Sequence, residues 1–242
     1  MFDGRAVAFR LPGGNPALSA VVVNGDSFAA VDGREKAVYL YSAQGKLLEG
    51  FPTVRAYETI VKMGNTGYLA LPRCVCRRFS YRVYVLNCAF EEVGCLDLQV
   101  LEEGDCETLM DLFYTEEGEI LGAFRYGLRS FDSAGNQTSC EKDRSLRFLY
   151  NVARNGALTA LHRRLEWGDG VTVSREGESV TGILSCRLAL RDLLPWGEDG
   201  FYGLFGYRYQ YNYLLPVYKD GRLCLPEETA LLDFLQNIPP CS

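Results

Sequence analysis

The chain has a single histidine, His162, in 242 residues, which excludes any metal centre built from two or more imidazoles. It has no surplus of positive charge. With 25 Lys and Arg against 31 Asp and Glu, no basic face for nucleic acid is expected. No run approaches the roughly 20 apolar residues of a membrane helix, so no membrane partner is expected. The opening MFDGRAVAFRL carries an acid and no long apolar core, and does not read as a signal peptide. A cytoplasmic location is the expectation. The Gly-x-Ser-x-Gly elbow of serine hydrolases and the standard Gly-rich phosphate cradles are also missing, and no cofactor is expected.

What is present is an ordinary globular composition, 48% hydrophobic and 23% charged. Nine cysteines stand at 74, 76, 88, 95, 106, 140, 186, 224 and 241, an odd number without framework spacing. Cys88 in VYVLNC and Cys186 in ILSC fall inside apolar runs, so free, buried thiols in a reducing compartment are expected. Cys74 and Cys76 form the one close pair. Cys88 and Cys95 on a neighbouring hairpin would be needed to complete a soft-metal set, and ordinary thiols are the preferred reading. The triplet Asn136-Gln137-Thr138 matches a glycosylation sequon, which has no meaning in the cytosol.

The organisation is a repeat. An apolar strand, a short turn and a second strand recur at VYLYSAQGKLLEGF, VYVLNCAFEEVGCLDL, LRSFDSAGNQTSC, VTVSREGESVTGIL and LPVYKDGRLCL. Their starts, at Val38, Val83, Leu128, Val171 and Leu215, are 43 to 45 residues apart. Two more strands precede each hairpin. The first begins near Val21, Ile60, Leu109, Phe148 and Leu188, and the second near Phe28, Tyr68, Ile120, Leu158 and Phe201. Turn residues separate them, as in Asn24-Gly25-Asp26 and Asn155-Gly156. Four antiparallel strands per repeat of this length predict an all-β, five-bladed β-propeller. A sandwich or barrel with similar strand spacing is the competing architecture, and recurrence in phase favours the propeller.

The blades are expected at about 18–51, 58–98, 107–141, 146–184 and 186–225, in one domain. A leading strand over 6–10 would pair with the last blade and close the ring. PEETALLDFLQNI, over 226–238, reads as a short amphipathic helix. The hairpin pattern apolar-Tyr-apolar-x-Ser/Asp-x-x-Gly, in VYLYSAQG and LRSFDSAGN, resembles blades of the broad propeller superfamily that includes NHL, kelch-like and quinoprotein-like repeats. The Trp-Asp dipeptides of WD40 blades and the paired glycines of kelch blades are absent. The resemblance implies architecture and no particular activity.

Two places could carry function. Loops joining second to third strands, on one end of the ring, collect Arg73, Arg77, Arg78, Arg125, Arg163, Arg164 and Arg208, with Trp167, Tyr207, Tyr209 and Tyr211 among them. Arg and aromatic residues favour binding hot spots, so this face is expected to recognise a protein partner or a small acidic ligand without catalysis. In FYGLFGYRYQYNY the polar end, Tyr207 to Tyr213, is expected at the funnel mouth. The alternative is a sugar-binding or sugar-cleaving funnel using Asp111 and Asp192, which fall at corresponding places in LMDLF and LRDLL on innermost strands. A structural role in a larger assembly is the third reading. His162, at the end of a second strand, reads as a polar loop residue.

Overall fold

Turn chemistry decides where the chain reverses. Glu176-Gly177 takes φ of 49° and 89°, and Asp220-Gly221 takes 51° and 75°, the two successive positive values that a tight two-residue hairpin turn needs. Between such reversals, residues rich in Val, Leu, Tyr and Phe extend as strands. The computed structural model describes residues 7–13, 16–72, 80–100, 108–142, 148–184, 189–207 and 211–225.

After a short strand β1 (Val7–Phe9), the first blade is β2 (Leu18–Asn24), β3 (Ser27–Asp32), β4 (Ala37–Ser42) and β5 (Leu47–Pro52). The second is β6 (Tyr57–Met63), β7 (Gly67–Pro72), β8 (Ser80–Leu86) and β9 (Glu92–Gln99). The third is β10 (Leu109–Tyr114), β11 (Ile120–Phe124), β12 (Gly127–Phe131) and β13 (Gln137–Lys142). The fourth is β14 (Leu149–Asn155), β15 (Leu158–Leu165), β16 (Gly168–Arg175) and β17 (Glu178–Ile183). The last has β18 (Ala189–Trp196), β19 (Gly200–Tyr207), β20 (Tyr211–Lys219) and the two-residue β21 (Arg222–Leu223). Each of the first four blades is an antiparallel sheet in chain order. The fold is an all-β, five-bladed propeller.

The last blade shares its outer position between two pieces of chain. β21 pairs with Tyr218 and Lys219 of β20, while β1 pairs with its other end, Val7 opposite Leu214 and Phe9 opposite Asn212. Strand β1 also carries the aromatic contact that joins last blade to first. The Phe9 and Phe28 rings meet edge to face at 4.8 Å, and Phe28 stacks on Tyr41 at 5.1 Å. The Tyr41 hydroxyl donates to the Arg10 carbonyl at 2.6 Å.

A blade is a single sheet and cannot bury both its faces alone, so the core lies between blades. The five hydrophobic clusters of the described residues are the five junctions. Val21, Phe28, Leu194 and Tyr202 fill the join of last blade to first. Ala20, Val38, Tyr57 and Ile60 fill the next, and Leu69, Val83, Leu112 and Phe124 the third. Ala123, Leu149 and Val152 form the smallest, and Val171, Leu193, Phe201 and Tyr213 lie in the fifth.

The glycine of the hairpin pattern has a packing reason. Gly45 and Gly135 take φ of 81° and 85°. A Cβ at Gly135 would sit 2.5 Å from the Asp97 carbonyl on the outer strand of the preceding blade. At Gly45 it would collide with the carbonyl of Ala8 on β1. Both turns touch the neighbouring blade's backbone, which only glycine permits.

Three expectations change. FYGLFGYRYQYNY is two strands rather than one, with 208–210 between them outside the described residues. Tyr213 is therefore a buried junction residue instead of part of the funnel mouth. Cys88, Cys95 and Cys224 are free but exposed, because Cys88 falls in the turn after β8. The helix expected over 226–238 lies outside the described residues, as do Cys74 and Cys76. Among the described residues no helix is long and apolar enough to cross a membrane.

Replacing Phe28 by Ala removes the central ring of the closing junction and should cost about 3–5 kcal/mol in urea unfolding. Tyr41→Phe removes one hydrogen bond and should cost about 1 kcal/mol. Equal stability of Phe28→Ala and wild type would mean that this junction does not hold the ring closed.

Candidate functional site at the propeller axis

Every innermost strand carries a β-bulge at the same place. The pairing to the second strand slips between Leu18 and Ala20, Tyr57 and Thr59, Leu109 and Asp111, Leu149 and Asn151, and Leu190 and Asp192. A bulge re-aims the side chains beside it. Here the five residues after the slip, Ala20, Thr59, Asp111, Asn151 and Asp192, are all buried.

Around these bulges each blade is hydrogen-bonded to the next. Ser19 Oγ donates to the Tyr57 carbonyl at 2.9 Å. Thr59 Oγ1 donates to Asp111 Oδ1 at 3.0 Å, and the Val152 amide donates to Asp111 Oδ2 at 3.1 Å. Asn151 Nδ2 donates to the Arg191 carbonyl at 3.1 Å. The Arg191 guanidinium reaches the Leu18 carbonyl at 2.7 Å, and the Val21 amide donates to Asp192 Oδ2 at 3.2 Å. Asp111 and Asp192 make the same contact two blades apart: each accepts the amide of the residue after its neighbour's ring position.

Burial dominates the electrostatics. It pushes Asp111 from 3.8 up to about 7, against the hydrogen bonds from Val152, Thr59, Leu112 and Asn151 that favour the carboxylate. Burial, then the charge of Asp111, push Asp192 well above 3.8. His162 lies inside β15 and is buried, not on a loop. Its Nδ1 is 2.9 Å from Asn151 Oδ1, and its Nε2 has no hydrogen-bond partner among the described residues. Burial lowers its pKa to about 4, so the ring is neutral near pH 7.

Immediately beyond this girdle lies a cavity of about 360 Å³ on the axis. Its walls come from the next residues of the five inner strands: Val21, Ile60, Leu112, Val152 and Leu193 keep their side chains buried in the blade junctions, and the half-buried Val61, Phe113 and Pro195 supply accessible apolar surface. Asp192 lines its inner end. Its rim includes Lys62, Gly64, Glu116, Glu117, Arg154 and Gly156, from the first-to-second-strand turns or beside them. The cavity therefore faces the end of the ring opposite the Arg-rich loops. Lys62 Nζ donates to Asn24 Oδ1 at 3.0 Å, and Arg154 lies 4.0 Å from Glu119.

The Arg- and aromatic-rich face is described in part. Arg125 sits 4.1 Å above the Phe148 ring and 5.1 Å from that of Tyr126. Phe148 stacks near Tyr150, and Tyr150 near His162. Arg163 Nε donates to Thr172, and Arg164 pairs with Asp169 at 3.1 Å. Trp167 is 80% exposed at the tip of the β15–β16 hairpin. Arg125 thus packs on the Phe148 ring, and the Phe148 carbonyl accepts the Arg164 backbone amide. Tyr207 and Tyr211 pair across β19 and β20. Arg73, Arg77, Arg78, Arg208 and Tyr209 lie outside the described residues. Among the described residues, no group of three His, Cys, Asp or Glu is placed to hold a metal ion.

Sequence reasoning found Asp111 and Asp192 but missed the cavity walls. The signal is there when the inner strands are aligned: LSAVVVN, YETIVKM, LMDLFYT, LYNVARN and LRDLLPW. The first and fourth positions are large and apolar in all five, and the third is the ring residue.

No protein-family model matches the chain, and no curated protein matches it. Solved structures do resemble it. The glutaminyl cyclase of Myxococcus xanthus superposes with a TM-score of 0.59 at 8% identity, over 87% of this chain and 96% of that one. Virginiamycin B lyase of Staphylococcus aureus gives 0.55 at 6% identity, over 87% and 98%. A protein of unknown function from Bacteroides caccae gives 0.53 at 10%, over 88% and 82%. Identities this low carry the fold alone, and these three names share no activity.

A carboxyl whose folded pKa is raised contributes stability below its unfolded value, lost as pH rises through the folded one. For Asp111 that window runs from 3.8 to about 7. Asp111→Asn keeps the shape of the neutral acid. It should therefore gain on wild type as pH rises through the window, by up to about 1.4 kcal/mol per pH unit. His162 has the opposite sign, losing stability as pH falls from 6.5 to about 4, and cancels in this comparison. Urea titrations of both proteins at several pH values would measure the difference; a constant offset would show that Asp111 does not titrate in this range.

Proposed function

We propose that the protein is a small-molecule-binding propeller whose ligand sits in the axial cavity. One observation carries this: a walled cavity of about 360 Å³, built from all five inner strands, with a buried acid at its inner end. A concave, mostly apolar site with a few convergent polar groups is the usual form of a ligand pocket. Its accessible apolar lining, which includes Val61, Phe113 and Pro195, suits an apolar body, so this reading places binding ahead of glycoside hydrolysis. The exposed free thiols of Cys88, Cys95 and Cys224 suit a reducing, cytoplasmic setting.

The test is a thermal-shift screen of small neutral, cationic and anionic compounds against wild type and Val61→Trp, which fills the cavity from its wall. Ligands of the cavity should raise the wild-type melting temperature and leave the variant unmoved. Shifts of equal size in both proteins would place binding elsewhere.

A second reading rests on Trp167, 80% exposed on the end of the ring that also carries the Arg125–Phe148 stack. It makes the opposite face a docking surface for an acidic segment of a protein partner. Poly-glutamate should then shift Trp167 fluorescence in wild type but not in Arg125→Glu/Arg164→Glu. An unchanged emission spectrum in wild type would reject it.

A further inference from the structure

The charges around the axial cavity are not balanced in what they offer a ligand. Its two cationic rim residues have partners on the rim: Arg154 pairs with Glu119 of the third blade, and Lys62 donates to the neutral amide of Asn24 and keeps its charge. The acids are differently placed. Glu116 and Glu117 stand exposed on the rim. Hydrogen bonds from its own backbone amide and from Thr115 hold the Glu117 carboxyl below the usual range, so it stays ionised. Asp192 is the acid at the inner end, and Asp111 lies behind the same wall. Between rim and inner end the accessible apolar lining includes Val61, Phe113 and Pro195.

We propose that the cavity takes a small organic cation, an amine on an apolar body, with its ammonium group directed to Asp192. This rests on the cavity being the ligand site. An anion would reach an inner end lined by the acid Asp192, where the described lining residues include no cation. A neutral apolar molecule would gain the walls alone. An amine gains the walls and supplies the positive charge that the buried acids lack, and an opposite charge nearby is what makes a buried carboxylate favourable. Asp192 keeps acceptor capacity for it. Each of its oxygens accepts one described hydrogen bond, from Val21 and from Leu193, and a carboxylate offers about four acceptor positions. The rim glutamates favour the approach of a cation and weaken in salt.

Three matched probes test the class: cyclohexylmethylamine, cyclohexylmethanol and cyclohexanecarboxylate, titrated calorimetrically into the whole protein near neutral pH. The amine should bind about tenfold or more tighter than the alcohol, with the carboxylate weakest. In Asp192→Asn the amine should lose its advantage while the alcohol still binds. Because Asp192 also ties last blade to first, Glu116→Gln/Glu117→Gln gives a second arm that spares this tie. It should weaken the amine a few-fold, flatten its salt dependence and leave the alcohol unchanged. Alcohol or carboxylate binding as tight as the amine would overturn the cationic class and leave the pocket standing. No binding by any of the three, in a protein that otherwise unfolds cooperatively, would overturn the pocket as well.

Discussion

The structure depends on one recurring device, the bulge near the start of each innermost strand. A propeller blade is held to its neighbours by side-chain packing, because strand pairing ends at the blade edge. Near the axis the blades converge and side chains have little room. The bulges bring polar groups to that level, where they reach the next blade's backbone: Ser19 to Tyr57, Asp111 from Val152, Asn151 to Arg191, Asp192 from Val21. Thr59 reaches the next blade through the Asp111 side chain. Backbone groups that would otherwise be buried without partners are satisfied, and unsatisfied ones cost about 1–3 kcal/mol each.

The girdle and the hydrophobic junctions share the load unevenly. Where the last blade meets the first, an extensive cluster and the Phe9–Phe28–Tyr41 contact accompany the Arg191 and Asp192 bonds. Between the third and fourth blades the described cluster is only Ala123, Leu149 and Val152. The bond from Val152 to Asp111 spans that same junction, so a carboxyl stands where apolar packing is thinnest. Burying that carboxyl raises its pKa. The acidity of the axis therefore follows from a structural need before any ligand is considered.

The fold was legible because hairpin turns are local. Glu176-Gly177 and Asp220-Gly221 announce reversals whatever surrounds them, and a 44-residue rhythm of such reversals leaves few architectures. The glycines in SAQG and SAGN were legible as a pattern, and the structure adds why: each touches the backbone of the preceding blade. What could not be read is whatever depends on the register between strands. A bulge leaves no mark in a single strand, so Ala20, Thr59 and Asn151 were not recognisable as partners of Asp111 and Asp192. His162 resembled a loop residue because its partner, Asn151, lies on another strand. Cys88 resembled a core thiol because the strand before it is apolar, yet β8 ends at Leu86.

The ring positions are chemically unequal, and that inequality matters for what the axis can do. Ala20 and Thr59 occupy two of them, acids the third and fifth, and an amide lies between the acids at Asn151. A ring of five equal acids would be self-repelling, and a ring of alanines would leave the Val21 and Val152 amides without acceptors. Two acids are what those two amides require. They flank the fourth blade, so the negative potential of the axis is displaced to one side instead of being centred. The cavity above inherits this asymmetry at its inner end: Asp192 enters the lining there, while the ring positions of the first two blades, Ala20 and Thr59, carry no charge. A near-symmetric scaffold thereby acquires a polar side and an apolar side, which is the least a pocket needs to orient a ligand.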